Sequence, residues 1–466
     1  MKKLTIIGAG WSGLACAVAA TQAGWQVELF EAASEAGGRA RSLEQSFAGV
    51  PLDNGQHILL GAYRDTLALM RTVGVNPDDA LLRLPLDLRT ADGLGFQLPT
   101  SVLDGLGNVF AYPSTPHSDL PSSSTNSPSK KFFITLAASL KLIVGISFAK
   151  GWGIQDKWLL MQACWRWQVA GFTCDATWSV SQLCEATQLT PRVISGLIEP
   201  LCLSALNMPM DGASAAVFLR VLQDAMFSAA GSSDLLIPKK DLGALFPQTC
   251  LKWLRQHGAQ IHLGRRFTQE DLAQWLAESY EVTTSKKALV LACPAQEAAR
   301  LTQTIAPSWS AKAQALSHTA IATVYLQCHD VGFRGLDRPM VALHMNKNAP
   351  AQFVFDRGAL CQQTGLLAAV VSASEGEREQ IALQVQQQVA DQLGLQQLSV
   401  VQTVVEKRAT FACLPNIFDG PHQVSVKPDA SVAPNIFACG DYVSGPYPAT
   451  LEGAVRSGQQ VVRHLG

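Results

Sequence analysis

The stretch that decides the fold reads LTIIGAGWSGLACAVAATQAGWQVELFE and occupies residues 4–31. Its apolar start predicts a short strand over Leu4–Ile7, and Gly8–Gly13 predicts a tight turn. The alanine-rich run Leu14–Ala23 predicts a helix, and Val27–Phe30 predicts a second strand. The chain therefore begins with a β-α-β unit, whose two strands we expect to lie parallel in one sheet.

Three glycines, Gly8, Gly10 and Gly13, give the spacing G-x-G-x-x-G between this strand and this helix. The first permits the tight turn, the second lets a pyrophosphate approach the backbone, and the third lets the helix pack closely on the sheet. The helix N-terminus offers amides and a positive dipole end to phosphate. At the end of the second strand, the carboxylate of Glu31 can accept the hydroxyl hydrogens of an adenosine ribose. The pattern predicts a dinucleotide site, with a purely structural glycine turn as the alternative. The expected contacts are Gly8, Gly10, Trp11, Ser12, Gly13 and Glu31.

The composition narrows the class of protein. The 466 residues carry 36 Lys and Arg against 37 Asp and Glu, and 16% of them are charged, against roughly 25% in a typical soluble domain. The basic excess of a nucleic-acid-binding protein is missing, so no nucleic-acid partner is expected. An apolar content of 48% excludes a disordered chain. The shortage of charge predicts an unusually apolar surface, which serves a large apolar ligand, a membrane or a partner.

Eleven cysteines are scattered singly along the chain, with no C-x-x-C pair. This pattern predicts neither a disulfide framework nor a zinc site, so no metal is expected and a reducing cytoplasm fits best. The first residues, MKK followed by an apolar run, superficially resemble a secretory signal. The ordered glycine motif within that run favours a retained N-terminus.

The segment Phe132–Ala149 has 13 apolar residues out of 18, with Lys141 near its middle. Because a charge near the centre of a membrane span is costly, the segment predicts a buried or channel-lining helix first. A helix lying in the membrane interface is the second reading, and a true span is the third. Since the net charge is near zero, we expect any contact with the inner face of the cytoplasmic membrane to be peripheral, local and mainly hydrophobic.

The rest of the chain divides by composition. Pro113–Ser129 is rich in serine and proline and predicts an exposed, mobile loop, either a tolerated insertion or a flap near a substrate or membrane entrance. Gln155–Ala230 predicts helices whose tryptophans lie in the core, namely Trp158, Trp165, Trp167 and Trp178. Strands are predicted over Ile261–Phe267, Ala288–Ala292, Ala320–Cys328, Leu366–Ser372 and Asn435–Cys439, and helices over Glu377–Leu393 and Leu451–Leu465.

After Glu31 the sequence continues AASEAGGRARS over residues 32–42. A Gly-Gly-Arg turn at this place resembles the amine oxidase and phytoene desaturase superfamily of flavoproteins, which indicates FAD rather than NAD. The resemblance implies that Gly37, Gly38 and Arg39 run along the flavin side of the cofactor, where Arg39 neutralises pyrophosphate charge. The alternative for Arg39 is a solvated loop.

The C-terminal part resembles the same superfamily. Gly440 and Asp441 end a predicted strand, and GPYPATLEGA, residues 445–454, opens the last helix. The resemblance implies that Asp441 contacts the ribityl or pyrophosphate region, with a turn cap as the alternative. It also implies that the helix N-terminus aims its amides at the flavin pyrimidine ring. The cofactor contacts that the resemblance adds are Gly55, Gln56, Phe267, Gly440, Asp441, Glu452, Gly453 and Ala454, although the family usually has a small aliphatic residue where Phe267 stands.

Longer strings carry a closer resemblance. LDNGQHILLGAY at 52–63, LSALNMPMDGASAAVFLRV at 203–221 and GPYPATLEGAVRSG at 445–458 together are similar to the hydroxysqualene dehydroxylase family. That family implies reductive dehydroxylation of hydroxysqualene, an apolar C30 isoprenoid, to squalene in hopanoid or squalene biosynthesis. The alternatives are an FAD-dependent isoprenoid desaturase of the phytoene type, and a non-enzymatic lipid-escort protein of the same fold.

Loss of a hydroxyl group needs a proton, so a general acid is expected near the flavin. The candidates are His57, Tyr447 and Asp53. Each has a structural alternative: His57 positions the flavin or satisfies a turn, Tyr447 forms a wall of the cavity, and Asp53 caps the turn that follows it. A second dinucleotide fingerprint is not evident in the sequence, so an external electron donor is expected.

The predicted fold class is α/β, with a discontinuous Rossmann-like FAD-binding domain and an α+β substrate-binding domain. The FAD-binding domain is predicted over residues 1–85, 231–300 and 411–466. The substrate domain is predicted over residues 86–230 and 301–410, with a flexible Ser/Pro-rich insertion at 113–131.

Overall fold

The computed structural model describes residues 2–99, 139–229, 231–281, 286–417 and 427–465. The strands are β1 (Lys3–Ile7), β2 (Gln26–Phe30), β3 (Ser42–Phe47), β4 (Val50–Asp53), β5 (Leu59–Leu60), β6 (Leu81–Leu84), β7 (Leu235–Pro238), β8 (Gln260–His262), β9 (Lys287–Leu291), β10 (His318–Cys328), β11 (Met340–Ala342), β12 (Phe353–Asp356), β13 (Leu366–Ser372), β14 (Leu398–Phe411), β15 (Ser431–Ala433) and β16 (Ile436–Ala438).

The helices are α1 (Trp11–Gln22), α2 (Arg64–Thr72), α3 (Pro77–Ala80), α4 (139–148), α5 (Ile154–Val169), α6 (Val180–Ala186), α7 (Pro191–Val193), α8 (Glu199–Leu206), α9 (Ala215–Met226), α10 (Leu242–Leu245), α11 (Pro247–Gln256), α12 (Gln269–Glu281), α13 (Ala295–Thr302), α14 (Pro307–Gln314), α15 (Arg357–Cys361), α16 (Arg378–Leu393) and α17 (Leu451–Leu465). A π-helical turn, Ile194–Ile198, joins α7 to α8.

A six-stranded sheet contains the predicted β-α-β unit. Its order is β15-β16-β9-β1-β2-β8, and all neighbours run parallel except β15 and β16. Strand β1 lies between β2 and β9, so Ile7 pairs with both Phe30 and Leu291. The carboxyl ends of the parallel strands meet at one edge, which is where open α/β sheets bind their ligands.

Helices α1 and α17 pack against each other beside this sheet. Gly458 of α17 permits the contact, because a side chain at this position would collide with the carbonyl oxygen of Ser12. Their apolar faces share one core with the sheet, which includes Leu14, Leu29 and Val455. The first and last parts of the chain therefore form one packing unit.

The second large sheet has five antiparallel strands in the order β11-β12-β13-β10-β14. Helix α16 buries Ile381 and Val385 in a core that also contains Val324 and Leu367 of this sheet. The hairpin β3–β4 connects the two large sheets: the Tyr325 hydroxyl on β10 donates to the backbone carbonyl at the end of β4, at 3.0 Å.

Most predicted elements are confirmed, and the fold is α/β as predicted. Leu366–Ser372 and Leu451–Leu465 have the predicted bounds, and the others differ by a few residues at their ends. The strand predicted over Ile261–Phe267 is wrong beyond His262. Gly264 there has φ +69°, and the amide of Arg265 donates to the carbonyl of Glu31 at 2.9 Å, so the chain turns away from the sheet.

The region 155–230 is helical as predicted, but two of its tryptophans are not in the core. Trp158 and Trp165 are exposed, Trp167 is buried, and Trp178 is partly buried. Helix α5 buries the face that carries Leu160 and Trp167, which turns Trp158 and Trp165 outward.

The predicted loop at 113–131 and the first half of the segment 132–149 lie outside the described residues. In the second half, Leu142 and Ile146 are buried, whereas Ile143 and Phe148 are exposed. Among the helices of the described ranges, none combines the length and the apolar run that crossing a bilayer requires.

Candidate functional site

The carboxyl edge of the six-stranded sheet gathers predicted site residues from both ends of the chain. Gly8 follows β1, Glu31 follows β2, and Gly440 comes shortly after β16. The amide of Gly37 donates to the carbonyl of Ala9 at 2.8 Å, which holds the Gly-Gly-Arg turn against the glycine motif. The three motifs that the sequence analysis singled out therefore lie together.

The glycine motif has the geometry of a phosphate-binding turn. Gly8 has φ +109°, and a Cβ there would lie 2.6 Å from the carbonyl oxygen of Ala292. A side chain at Gly13 would collide with the carbonyl of Gly8, while a Cβ at Gly38 would lie 3.1 Å from the Cα of Gly10. The N-terminus of α1 has no side-chain cap and no acidic residue in its first turn, so backbone amides face the edge.

Trp11 and Ser12 open α1 and connect it to neighbouring motifs. Trp11 Nε1 donates to the carbonyl of Ala40 at 3.3 Å, and the Ser12 hydroxyl donates to the carbonyl of Cys439 at 3.4 Å. These two contacts fix the helix N-terminus relative to the Gly-Gly-Arg turn and to the end of β16.

Glu31 is fixed by two backbone amides. Its Oε2 accepts from the amide of Ala9 at 2.7 Å, and its Oε1 accepts from that of Ala33 at 2.9 Å. Each carboxylate oxygen keeps a further lone pair, which is what binding a ribose diol requires.

Phe267 is a buried core residue beside this carboxylate. Its ring packs edge-on against Phe30, with centroids 5.4 Å apart, and the Arg265 guanidinium lies 5.2 Å from the Phe30 centroid. The amide of Arg265 donates to the carbonyl of Glu31 at 2.9 Å, so the segment runs next to Glu31, while the adenine contact at Phe267 stays a prediction.

Arg39 and Asp441 form an ion pair across the site, with Arg39 Nη2 2.5 Å from Asp441 Oδ1. Asp441 is buried, and Arg39 Nη1 also donates to the carbonyl of Ala409 on β14 at 2.7 Å. The pair thus joins the Gly-Gly-Arg turn, the C-terminal motif and the second sheet. Arg39 has further donors available for a pyrophosphate.

The segment that follows β4 lies beside the ion pair. Asn54 Nδ2 donates to the carbonyl of Arg39 at 3.1 Å and to Glu406 Oε2 at 3.0 Å. A Cβ added to Gly55 would lie 3.7 Å from the Thr323 hydroxyl on β10, so the backbone here runs directly below the second sheet.

His57 Nδ1 lies 3.1 Å from the carbonyl oxygen of Gly55. Burial lowers the pKa of His57, the contact with Gly55 opposes that shift, and the positive charge of Arg39 lowers the pKa further. The imidazole is therefore neutral near pH 7 and holds no extra proton.

Asp53 is held inside the protein. Its Oδ2 pairs with Arg357 Nη1 at 3.0 Å and its Oδ1 accepts from the amide of Leu242 at 2.7 Å, with the Arg357 and Asp53 side chains 0% and 2% exposed. Burial raises the pKa of Asp53 to about 6, although the charge of Arg357 opposes the shift. The same Arg357 nitrogen donates to Gln56 Oε1 at 3.2 Å, so Asp53 and Gln56 share one anchor.

Tyr447 lies between two guanidinium groups. Arg220 Nη2 donates to the Tyr447 hydroxyl at 3.2 Å, and Arg220 and Arg456 lie 5.2 and 4.8 Å from the ring centroid. A small pocket of about 10 Å³ between the C-terminal loop and α17 is lined by Tyr447, Arg456 and Asp441 among others, and it has room for about one water molecule. The structure therefore places Tyr447 and Asp441 beside the same small pocket.

The first turn of α17 is closed by Thr450. The amide of Gly453 donates to the Thr450 hydroxyl at 2.9 Å, and that of Ala454 donates to the Thr450 carbonyl at 3.0 Å. The buried Glu452 carboxylate accepts from the amides of Asp65 and Thr66 at 3.0 and 2.9 Å, so it caps α2. The predicted approach of these residues to a flavin ring stays a prediction.

Four neighbours of the site were missed by the sequence analysis: Arg220, Arg357, His318 and Glu406. Arg220 lies within the 203–221 string that carries the family resemblance, so it had a signal. The others come from strands β10 and β14 and helix α15, and nothing local in their sequence marks them as neighbours. Burial lowers the pKa of His318, and the charge of Arg39 contributes to the lowering, which places His318 near the same ion pair.

The edge fits FAD. A glycine turn with no room for a Cβ, an uncapped helix N-terminus and a fixed carboxylate are what a pyrophosphate and an adenosine ribose need. The residues that would hold the cofactor are those of the glycine motif, Glu31, the Gly37–Arg39 turn and Asp441.

Curated proteins are similar to this chain over nearly its whole length. A hydroxysqualene dehydroxylase of Sinorhizobium fredii is 25% identical over an alignment of 491 positions, which covers 98% of this chain and 97% of the relative. A hydroxysqualene dehydroxylase of Zymomonas mobilis is 24% identical over an alignment of 471 positions, which covers 97% of this chain and 96% of the relative. The crystal structure of an oxidoreductase from Methanosarcina mazei has the same fold, with a TM-score of 0.61 at 14% identity, over 99% of this chain and 100% of that one.

The flavin containing amine oxidoreductase family matches residues 11–465. Since this match spans almost the whole chain, the protein belongs to that family and is an FAD-dependent oxidoreductase.

Proposed function

We propose that the protein removes the hydroxyl group of hydroxysqualene by reduction and releases squalene, in hopanoid or squalene biosynthesis. The relatives from Sinorhizobium and Zymomonas support the substrate class, because both are named for this reaction and align over nearly their full length. The observation that carries the proposal is the position of Tyr447, a phenol hydrogen-bonded by Arg220 beside a small pocket that Asp441 also lines.

The reaction exchanges a C–O bond for a C–H bond. Reduced FAD, when bound, supplies the hydride. The hydroxyl group leaves with the electron pair of its C–O bond, and one proton converts it to water, so the protein must hold a proton at this point. The two electrons come from an external reductant, since the sequence shows one convincing dinucleotide fingerprint.

Tyr447 donates the proton to the leaving hydroxyl group in this proposal. Arg220 Nη2 donates to the phenol oxygen at 3.2 Å and so fixes the direction in which the Tyr447 hydroxyl can donate its own hydrogen. The other two candidates fit less well. His57 is neutral near pH 7, and the buried Asp53 carboxylate is already bound by Arg357 and by the amide of Leu242.

The substrate domain holds the isoprenoid in this account. We assign to this domain residues 86–230 and 301–410, which include the five-stranded sheet that lies over Gly55. The FAD-binding domain, which includes the carboxyl edge of the six-stranded sheet, then consists of residues 1–85, 231–300 and 411–466. A C30 isoprenoid dissolves in bilayers, so we also propose peripheral contact with the inner face of the cytoplasmic membrane.

Product analysis under two redox conditions tests the proposal. FAD-loaded protein reduced with dithionite and kept anaerobic is mixed with hydroxysqualene, and oxidised protein is mixed with squalene. The proposal expects squalene from the first mixture and no change in the second. A desaturated product from the second mixture, with none from the first, would assign the protein to the isoprenoid desaturases.

A further inference from the structure

Helix α5 exposes an apolar stripe. Ile154, Trp158, Trp165 and Val169 are between 63% and 89% exposed, although tryptophan and isoleucine are residues that soluble proteins bury. Of the thirteen large apolar side chains that are exposed in the described part of the chain, seven lie within residues 140–169. The apolar surface that the low charge content predicts is therefore concentrated here.

The stripe is narrow and has cations along its sides. At 3.6 residues per turn, Ile154, Trp158, Trp165 and Val169 project within about 60° of one another. Lys157 lies about 60° to one side of the stripe and Arg166 about 60° to the other. Both cations are thus placed where an apolar face meets an anionic headgroup layer.

Negative charge is missing from the stripe itself. Asp156, the one acidic residue in the sequence 140–169, is buried on the opposite side. Its carboxylate accepts from the amide of Gly153 at 2.7 Å and from the Thr190 hydroxyl at 2.6 Å. The exposed charges next to the stripe are therefore positive, and Lys150 adds another at the N-terminal end of α5.

Helix α4 extends the apolar surface. Lys157 Nζ donates to the carbonyl of Ser147 at 2.7 Å, and Gln168 Nε2 donates to Ser139 Oγ at 3.5 Å, so the two helices run antiparallel side by side. Phe148 is 79% exposed, and Leu140 and Ile143 of α4 are also exposed. Two adjacent helices therefore present one apolar surface.

We propose that this surface, formed by α4 and α5, docks the protein on a lipid bilayer that contains anionic lipids. Tryptophan beside lysine or arginine is typical of helices that lie in the bilayer interface. A second copy of the chain is a poorer occupant, because a contact between two identical faces would gather Lys157 and Arg166 of both copies in one interface. The inference deepens the peripheral membrane contact of the proposed function and rests on it.

Vesicle binding tests the inference on the full, FAD-loaded protein. Sedimentation with vesicles of phosphatidylcholine, with and without phosphatidylglycerol, is compared for the wild type and the double variant Trp158→Ser/Trp165→Ser. We expect the wild type to bind the anionic vesicles, and the double variant to lose about tenfold or more in apparent affinity. Leu383→Ser, which removes an equally exposed apolar side chain from α16, is the matched control and should bind like the wild type.

Three further readouts separate the outcomes. Flavin absorbance shows that each variant is folded and loaded. Equal binding by the double variant and Leu383→Ser, or no binding by the wild type, would overturn the inference. So would a wild-type dimer in gel filtration that the double variant converts to monomer, since a second copy then covers the surface. Squalene formation by the wild type is assayed separately in detergent. A wild type that forms squalene but does not bind vesicles contradicts the membrane docking alone. A wild type that binds vesicles but forms no squalene contradicts the proposed reaction alone.

Discussion

Arg39 and Asp441 are 402 positions apart in the chain, and their side chains form an ion pair with 2.5 Å between Nη2 and Oδ1. The pair locks the Gly-Gly-Arg turn to the loop after β16. It also lies at the edge where the glycine motif and Glu31 meet, so we expect the pair to couple cofactor binding to the packing of the two chain ends.

Replacing Asp441 should weaken FAD binding. Asp441→Asn leaves the Arg39 guanidinium without its counter-ion and loosens the turn, and we expect FAD to dissociate about tenfold more readily, since a charge-assisted hydrogen bond contributes about 1.5 to 3 kcal/mol. Flavin fluorescence on dilution measures the release. Asp234→Asn breaks the more exposed ion pair with Arg83 and should retain FAD like the wild type. Equal retention by both variants would remove Asp441 from the cofactor site.

The buried Asp53 should make stability fall as the pH rises. Its pKa is about 6 in the folded protein and about 3.9 in an unfolded chain, so the folded state binds the proton more tightly. The stability that this group contributes is present below about pH 4 and is lost as the pH rises through about 6. The asparagine of Asp53→Asn does not titrate. Between pH 4 and 7 its free energy of unfolding should therefore fall by about 2 kcal/mol less than that of the wild type.

Urea unfolding at several pH values measures this difference. The Asn variant is less stable overall, because Arg357 loses its charged partner, but the comparison depends on the slope with pH and not on the absolute value. Asp234→Asn serves again as a control, with a slope like that of the wild type. Parallel slopes for the wild type and Asp53→Asn would contradict the raised pKa.

Removing the Tyr447 hydroxyl should slow the reaction while FAD stays bound. Tyr447→Phe keeps the ring between Arg220 and Arg456, but it cannot deliver a proton, and a general acid contributes about 100-fold or more to a rate. Asp234→Asn, which breaks the ion pair with Arg83, serves as the control and should react like the wild type. If both variants turn over at the wild-type rate with full flavin content, Tyr447 is not the acid.

His57→Asn tests whether the histidine donates the proton or has only a structural role. Because its imidazole is neutral near pH 7, we expect the single-turnover rate of the variant to stay within about threefold of the wild type, with no inflection near pH 6.5. Stopped-flow flavin oxidation at pH 6 to 8 provides the measurement. A loss comparable to that of Tyr447→Phe would identify His57 as the proton donor instead.

The fold could be predicted where a local pattern has one physical solution. The glycine motif between an apolar strand and an alanine-rich helix permits little except a β-α-β unit, and Leu451–Leu465 has a clean helical period. The predicted end of β8 was wrong because Gly264, with φ +69°, turns the chain away from the sheet. Trp158 and Trp165 were misplaced because an amphipathic helix has two faces, and composition does not tell which one the core receives.

The site could be predicted in its backbone motifs and less well in its side-chain partners. Gly8, Glu31 and Gly37 come together through adjacent strands, which the sequence order already implies. Arg357 opens α15 and Asp53 ends β4, 304 positions apart in the sequence, and only the packing of the fold brings the two side chains together. Such a contact depends on how two sheets are packed, and no local pattern encodes it.

One measurement addresses the proposed reaction most directly. Reduced, FAD-loaded protein is mixed anaerobically with one equivalent of hydroxysqualene in detergent, and flavin oxidation and squalene are followed in the same sample. The account predicts that the flavin is oxidised in step with squalene formation, one for one, and that Tyr447→Phe slows both processes together. Flavin that stays reduced while hydroxysqualene is recovered unchanged would contradict reductive dehydroxylation by this protein.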